Sequence, residues 1–227
     1  MTAPLNPAGL FIDLDGTLAD SLAVMRMAYE GFLGQFGVAG AHSEFALLNG
    51  PPLSEVIRRL RATHNLPGEL EALTDNYYRL IDELYRSVAP APGARELLER
   101  AQRFSCKVAV VTSNSAGRTE AWLAAVGLAP LIDFIISGDD VTRGKPDPEP
   151  YLMAAARAGL DGQICAAVED TIQGAQAAMG AGMSTFLLMS SHGSTVPVPG
   201  VAPVNSLYDV ASQLWPAATS PGASCIS

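Results

Sequence analysis

Cysteine is scarce in this chain of 227 residues, which carries Cys106, Cys165 and Cys225. Their number is odd and no C-x-x-C or Cys/His ligand spacing surrounds them, so neither a disulfide framework nor a zinc site is expected. That usage suits a reducing cytoplasm. Histidine is equally sparse. His42, His64 and His192 fall outside every motif described below, and none is assigned catalysis. No apolar run approaches the length of a membrane span, and the residues after Met1 lack the basic and apolar regions of a secretory leader, so export is not expected. No internal repeat is found. Basic residues are few: 14 Lys and Arg face 23 Asp and Glu, for a formal charge of -9. The resulting field repels phosphate backbones and anionic lipid, which argues against nucleic acid and membrane as partners. Small anionic substrates stay open, because a metal ion or a lysine reverses the potential inside a cleft.

What is present is a composition 48% hydrophobic and 16% charged, that of a folded globule with a substantial core. Short apolar runs bounded by turn formers predict five strands, at Leu10 to Leu14, Lys107 to Thr112, Phe134 to Ile136, Ile164 to Val168 and Ser184 to Met189. Helical patterns fall between the later ones: Ala94 to Gln102, Thr119 to Val126, Pro148 to Ala158 and Ile172 to Ala181. This alternation predicts an α/β fold with a parallel sheet flanked by helices. Residues 21–88 differ, showing three helical stretches and no convincing strand. Leu22, Met25, Tyr29, Phe32 and Phe36 mark the first, Leu53, Val56, Ile57 and Leu60 the second, and Leu70, Leu73, Tyr77, Leu80, Leu84 and Val88 the third. That insertion is too long for an ordinary crossover and is expected to form an all-helical cap domain (21–88) on a core of 1–20 and 89–215. The tail is loop-rich around one short helix, Leu207 to Leu214, with 216–227 expected to be disordered.

Four segments carry chemistry. In Phe11-Ile-Asp13-Leu-Asp15-Gly-Thr-Leu18 two carboxylates sit two residues apart at the end of a buried strand and point the same way. Burying such a pair calls for a counter-ion; a polar turn after a strand is the plainer alternative. Glu169 and Asp170 close the fourth strand, where they also suit the acidic first turn of a helix. In a parallel sheet all C-terminal strand ends share one edge, so both pairs can converge on one cation, and all-oxygen ligation favours Mg²⁺ over zinc. Lys145, in Gly144-Lys-Pro-Asp-Pro, supplies positive charge if its turn lies near the cluster, and is otherwise a solvated loop residue. Thr112, Ser113 and Asn114 put hydroxyls and amides just after the second strand, fit to cradle phosphoryl oxygens or to cap the next helix.

In their order and spacing DLDGTLADS, VVTSNS, GKPDPEPYL and VEDTIQGAQAAMGAGM resemble the four motifs of the haloacid dehalogenase superfamily of phosphotransferases, a likeness covering about residues 8–190. The inserted helices resemble the cap of the subgroup that includes phosphoglycolate phosphatase and β-phosphoglucomutase. The resemblance implies a Rossmann-like core, with Asp13 as nucleophile and Asp15 as general acid and then base. It implies Mg²⁺ on Asp13, the Asp15 carbonyl, Asp170 and Glu169, a phosphoryl group held by Thr112 and amides near Ser113 and Asn114, and Lys145 linking that group to Asp13. Asp15 argues against the dehalogenases and the phosphonoacetaldehyde hydrolases, which lack this second aspartate. The expected activity is therefore hydrolysis of a small phosphorylated metabolite, with a sugar phosphomutase as the alternative and a non-catalytic binding protein behind it. Substrate choice is expected to lie in the cap near Asp20 to Met25 and Asn49 to Leu53. A monomer is the default and a dimer stays open. Arg58, Arg59 and Arg61 read as solvated.

Overall fold

The computed structural model describes residues 6–48, 51, 53–189 and 198–216. Asn49, Gly50 and Pro52 of the expected cap loop, His192, and 217–227 of the expected tail lie outside them. Among the described residues six strands form one parallel sheet in the order β3-β2-β1-β4-β5-β6. They are β1 (Gly9–Ile12), β2 (Lys107–Val111), β3 (Phe134–Ile136), β4 (Cys165–Glu169), β5 (Ser184–Leu188) and β6 (Ala202–Val204).

The five expected strands are all present, Phe134–Ile136 with the expected bounds and the others with ends that move by at most two residues. β1 stops at Ile12 because Leu14 to Ala19 fold into a tight turn in which Gly16 N–H donates to Ala19 O and Ala19 N–H to Leu14 O. The sixth strand was not expected: it is three residues long and contains Pro203, which a sheet tolerates at its edge.

Apolar side chains alternate across the sheet as a strand period of two requires. Leu10 and Ile12 face a cluster that contains Leu97 and Leu98 of α5 (Ala94–Arg103), Trp122 of α6 (Ala116–Ala125), and Val210 and Leu214 of α9 (Leu207–Leu214). Phe11 and Val111 face Tyr151 and Ala154 of α7 (Glu149–Ala158) and Ala177 and Ala178 of α8 (Ile172–Gly180) on the other side. Helices thus cover both faces of a Rossmann-like core. The order reverses at β1, which lies between β2 and β4, and in such sheets the crevice beyond the carboxyl ends at this switch point is where ligands bind.

Between β1 and β2 the chain forms four cap helices, α1 (Leu22–Gly34), α2 (His42–Leu48), α3 (Leu53–His64) and α4 (Leu70–Tyr85). Three were expected. α2 escaped because it is seven residues long and none of them is fully buried, so no apolar stripe announces it. Phe32 packs on Tyr77 with ring centres 5.0 Å apart, joining α1 to α4. Buried Ile57 and Leu60 of α3 and Ile81 of α4 belong to the same cluster as Leu10 and Ile12, so the apolar contact continues from the sheet into the cap. Arg58 and Arg59 are exposed and pair with Glu55, as a solvated face requires. Cys106 and Cys165 are buried free thiols. No helix among the described residues is long and apolar enough to cross a membrane.

Candidate active site

The sheet edge gathers the sequence-predicted residues. Asp13 follows β1 directly, its N–H donating to Val168 O of β4 at 3.0 Å, so it stands level with the end of β4. There Glu169 closes the strand, and Thr171 caps α8 by accepting from the Gly174 N–H. Carboxylate oxygens of Asp13, Glu169 and Asp170 lie within 4.8 Å of one another, and all three residues are buried. Two glycines make room for them. Gly16 has φ +83°, and a Cβ on it would stand 2.2 Å from Asp170 Oδ2; one on Gly174 would stand 2.0 Å from Glu169 Oε2.

Lys145 reaches this cluster from the loop between β3 and α7. Glu149 holds that loop by accepting from the N–H groups of Thr142 and Arg143. The Lys145 ammonium lies 2.6 Å from Asp13 Oδ1, 2.6 Å from Glu169 Oε1 and 2.9 Å from Val111 O, so each of its three hydrogens has an acceptor. Burial works against its charge, but the Asp13 and Glu169 carboxylates outweigh burial and hold its pKa above the ordinary lysine value. Tyr151 donates to the same Glu169 oxygen, Oε1, at 2.5 Å, so two donors converge on one side of that carboxylate.

One ammonium against three buried carboxylates leaves the cluster short of positive charge. Burial pushes the Glu169 carboxyl up to about 7 in spite of Lys145, and pushes Asp170 well above the usual carboxylate range, with Asp13 adding repulsion in both cases. Glu169 Oε2 and Asp170 Oδ1 are buried with no hydrogen-bond partner among the described residues. Buried polar atoms are rarely left so. An all-carboxylate donor set, two oxygens without donors and a charge deficit fit a hard divalent cation.

The Asp15 carboxylate stands apart from that group and turns to the cap. It accepts from Tyr85 Oη of α4 at 2.6 Å and from Asn114 Nδ2 at 3.3 Å. Burial, helped by the Asp13 charge, raises its pKa above the usual aspartate value, with the Tyr85 and Ser21 hydrogen bonds opposing. Beyond β2, Thr112 Oγ1 accepts from Asn114 N–H at 3.0 Å and shapes the turn that enters α6. Thr112, Ser113 and Asn114 line one small cleft, of about 100 Å³, together with Asp13, Asp15, Lys145 and Asp170. All the predicted site residues except Glu169, which is sealed beneath Lys145 and Tyr151, therefore border one space. His42 and His64 lie instead in the cap, beside Arg26 and Glu44 respectively.

Sequence reasoning missed two residues here. Arg118 lines the cleft, donates to Asn114 Oδ1 at 2.6 Å and pairs with Asp82 of α4 at 2.7 Å. Its i,i+4 spacing from Asn114 was the available signal. Tyr85 is 70 residues from Asp15 and carried none.

The family profile described as haloacid dehalogenase-like hydrolase matches residues 10–188. The validoxylamine A 7'-phosphate phosphatase of Streptomyces hygroscopicus subsp. limoneus is 33% identical over 79% of this chain and 84% of its own. The bifunctional riboflavin kinase/FMN phosphatase of Arabidopsis thaliana is 25% identical over 91% of this chain, which spans 55% of that longer protein. Among solved structures, CbbY from Rhodobacter sphaeroides in complex with phosphate has a TM-score of 0.80 at 24% identity, covering 90% of this chain and 96% of that one. The last likeness speaks for the fold.

Proposed function

The chain belongs to the haloacid dehalogenase-like hydrolases, and from that premise we propose that it is a Mg²⁺-dependent phosphatase acting on a small phosphomonoester through an aspartyl-phosphate. The observation that carries the proposal is Asp13, held by Lys145 beside Glu169 and Asp170 and facing the Thr112 to Asn114 turn across one cleft.

In this reading an Asp13 carboxylate oxygen attacks phosphorus, and the bond to the substrate's ester oxygen breaks as the new one forms. Protonated Asp15 gives its proton to the departing oxygen; its raised pKa favours holding one. Asp15 then takes a proton from the water that displaces Asp13 from phosphorus, returning both carboxyls to their starting states. Lys145 offsets the phosphoryl charge from its place beside Asp13, and Thr112 with the amides near Ser113 and Asn114 orients the phosphoryl oxygens, which is most of what phosphoryl transfer asks of a protein. When bound, Mg²⁺ supplies further neutralisation of those oxygens; Asp13, Asp170 and the Asp15 carbonyl would hold it, with Glu169 assisting directly or through water. The same reading divides the chain into a core of 1–20 and 89–215 and a cap of 21–88, working in a reducing, cytoplasmic setting.

A screen of phosphorylated metabolites with and without Mg²⁺, with Asp13→Asn as control, tests it. Metal-dependent release of inorganic phosphate that the variant lacks is the expected result. Full activity in the variant would remove Asp13 as nucleophile, and an isomerised sugar phosphate in place of free phosphate would make the protein a mutase.

A further inference from the structure

The two walls of the cleft are chemically opposite. The core contributes charge and hydrogen-bonding groups, while each of the four cap helices contributes apolar side chains: Met25 from α1, Phe45 and Leu48 from α2, Leu53 and Val56 from α3, and Ile81 from α4. Met25, Phe45, Leu48 and Leu53 are partly buried residues that pack on the main apolar cluster and also line the cleft. The one polar lining side chain that the cap adds, among the described residues, is Tyr77.

Both cations that border the cleft are already engaged. Lys145 is closed by Asp13, Glu169 and Val111 O, and Arg118 is held by Asp82 and Asn114. A phosphate seated against Asp13 must direct its ester oxygen and the attached carbon chain away from the core wall, toward the cap. A polyol there would bring several hydroxyls to a wall whose described residues offer one phenol, and each hydroxyl taken from water without a partner weakens binding. A second carboxylate, as in a phosphorylated hydroxy acid, would have to compete with Asp82 and Asn114 for Arg118, the other cation that borders the cleft among the described residues.

We infer that the alcohol this enzyme releases is a compact apolar one, an alkyl or aryl alcohol, and that Met25 and Leu53 help to select it. This inference rests on the phosphatase reading and names its substrate class. It departs from the validoxylamine phosphate in the name of the Streptomyces relative, because the surface that would face the alcohol is the apolar cap wall, and a shared fold does not fix the substrate.

The test compares substrates of equal chain length in the presence of Mg²⁺: propyl phosphate against glycerol 3-phosphate, and ethyl phosphate against 2-phosphoglycolate, with p-nitrophenyl phosphate as reference. We expect kcat/KM for the alkyl member of each pair to be higher by about tenfold or more, the difference that one or two unpaired polar groups make. It should also rise by about fourfold per methylene from ethyl to butyl phosphate. Met25→Gln, close to Met in size, should narrow the propyl-to-glycerol ratio, and Leu53→Gln provides the same test at a second position. A general loss of folded protein would lower both substrates together and leave that ratio unmoved. Equal or higher kcat/KM for the glycerol or glycolate ester, or a ratio unaltered in both variants, overturns the inference while leaving the phosphatase standing. Absence of Mg²⁺-dependent turnover of p-nitrophenyl phosphate along with the rest overturns the phosphatase reading, and this inference with it.

Discussion

The Tyr85 hydroxyl, in the last turn of α4, donates to Asp15 Oδ1 at 2.6 Å and so ties the cap to the carboxylate two residues beyond Asp13. Its ring is buried against Trp122 of α6, whose indole N–H donates to Val88 O at 3.0 Å. The segment leading back from cap to core is thereby anchored at Tyr85 and at Val88.

Replacing Tyr85 with Phe keeps the ring and removes that donor. The expected result is a fall in kcat of about tenfold with an alkyl phosphate, the loss of one hydrogen bond to the carboxylate that forms as Asp15 gives up its proton. The fall should be smaller with p-nitrophenyl phosphate, whose leaving oxygen needs little help from an acid. Steady-state kinetics on the two substrates checks this, and equal losses on both would argue against a role through Asp15.

Lys145→Met leaves Asp13 and Glu169 buried without their ammonium partner. Breaking a buried ion pair from one side costs about 3–5 kcal/mol, so denaturant unfolding should show a loss of that order along with loss of turnover. Millimolar Mg²⁺ should restore part of the stability, since it supplies charge to the same carboxylates.

The metal-free protein should respond to pH in a defined direction. Burial raises Glu169 from 4.5 to about 7 and Asp170 in the same sense. Carboxyls of this kind bind protons more tightly folded than unfolded, so their stabilisation is complete below about 4.5 and is lost as pH rises through about 7. A divalent cation competes with those protons. The increase in melting temperature on adding Mg²⁺ should therefore be larger at pH 8 than at pH 5, and Asp170→Asn should flatten the difference. Thermal melts with EDTA or Mg²⁺ across that range decide it.

Gly16→Ala places a methyl group where Asp170 Oδ2 now lies, at a residue with φ +83°. The left-handed backbone alone costs a non-glycine residue about 1–2 kcal/mol, and the Asp170 carboxylate must shift as well. Lower stability and weaker Mg²⁺ binding by isothermal titration are expected together; unchanged metal affinity would mean that Asp170 is not held by this contact.

The features readable in the chain were those with local causes. Strand ends showed as apolar runs cut by Asp13 or Glu169, and helices such as Leu207 to Leu214 as periodic stripes closed by turn formers. β6 and α2 escaped for the same reason in reverse: three residues around Pro203, or seven residues with none fully buried, make no pattern that exceeds background. The acidic pairs could be named from sequence because a shared sheet edge follows from parallel pairing, whatever the length of the connections.

Sequence by itself determined the repertoire: which acids, hydroxyls and lysine stand at strand ends, and that a helical insertion interrupts the core. Tertiary structure decided which of them meet and what they face. Lys145 closing on Asp13 across 132 positions, Tyr85 on Asp15 across 70, and an apolar wall assembled from four separate helices depend on packing between distant segments. Such contacts arise from the burial of surfaces against one another, and that is a property of the folded chain rather than of any stretch within it.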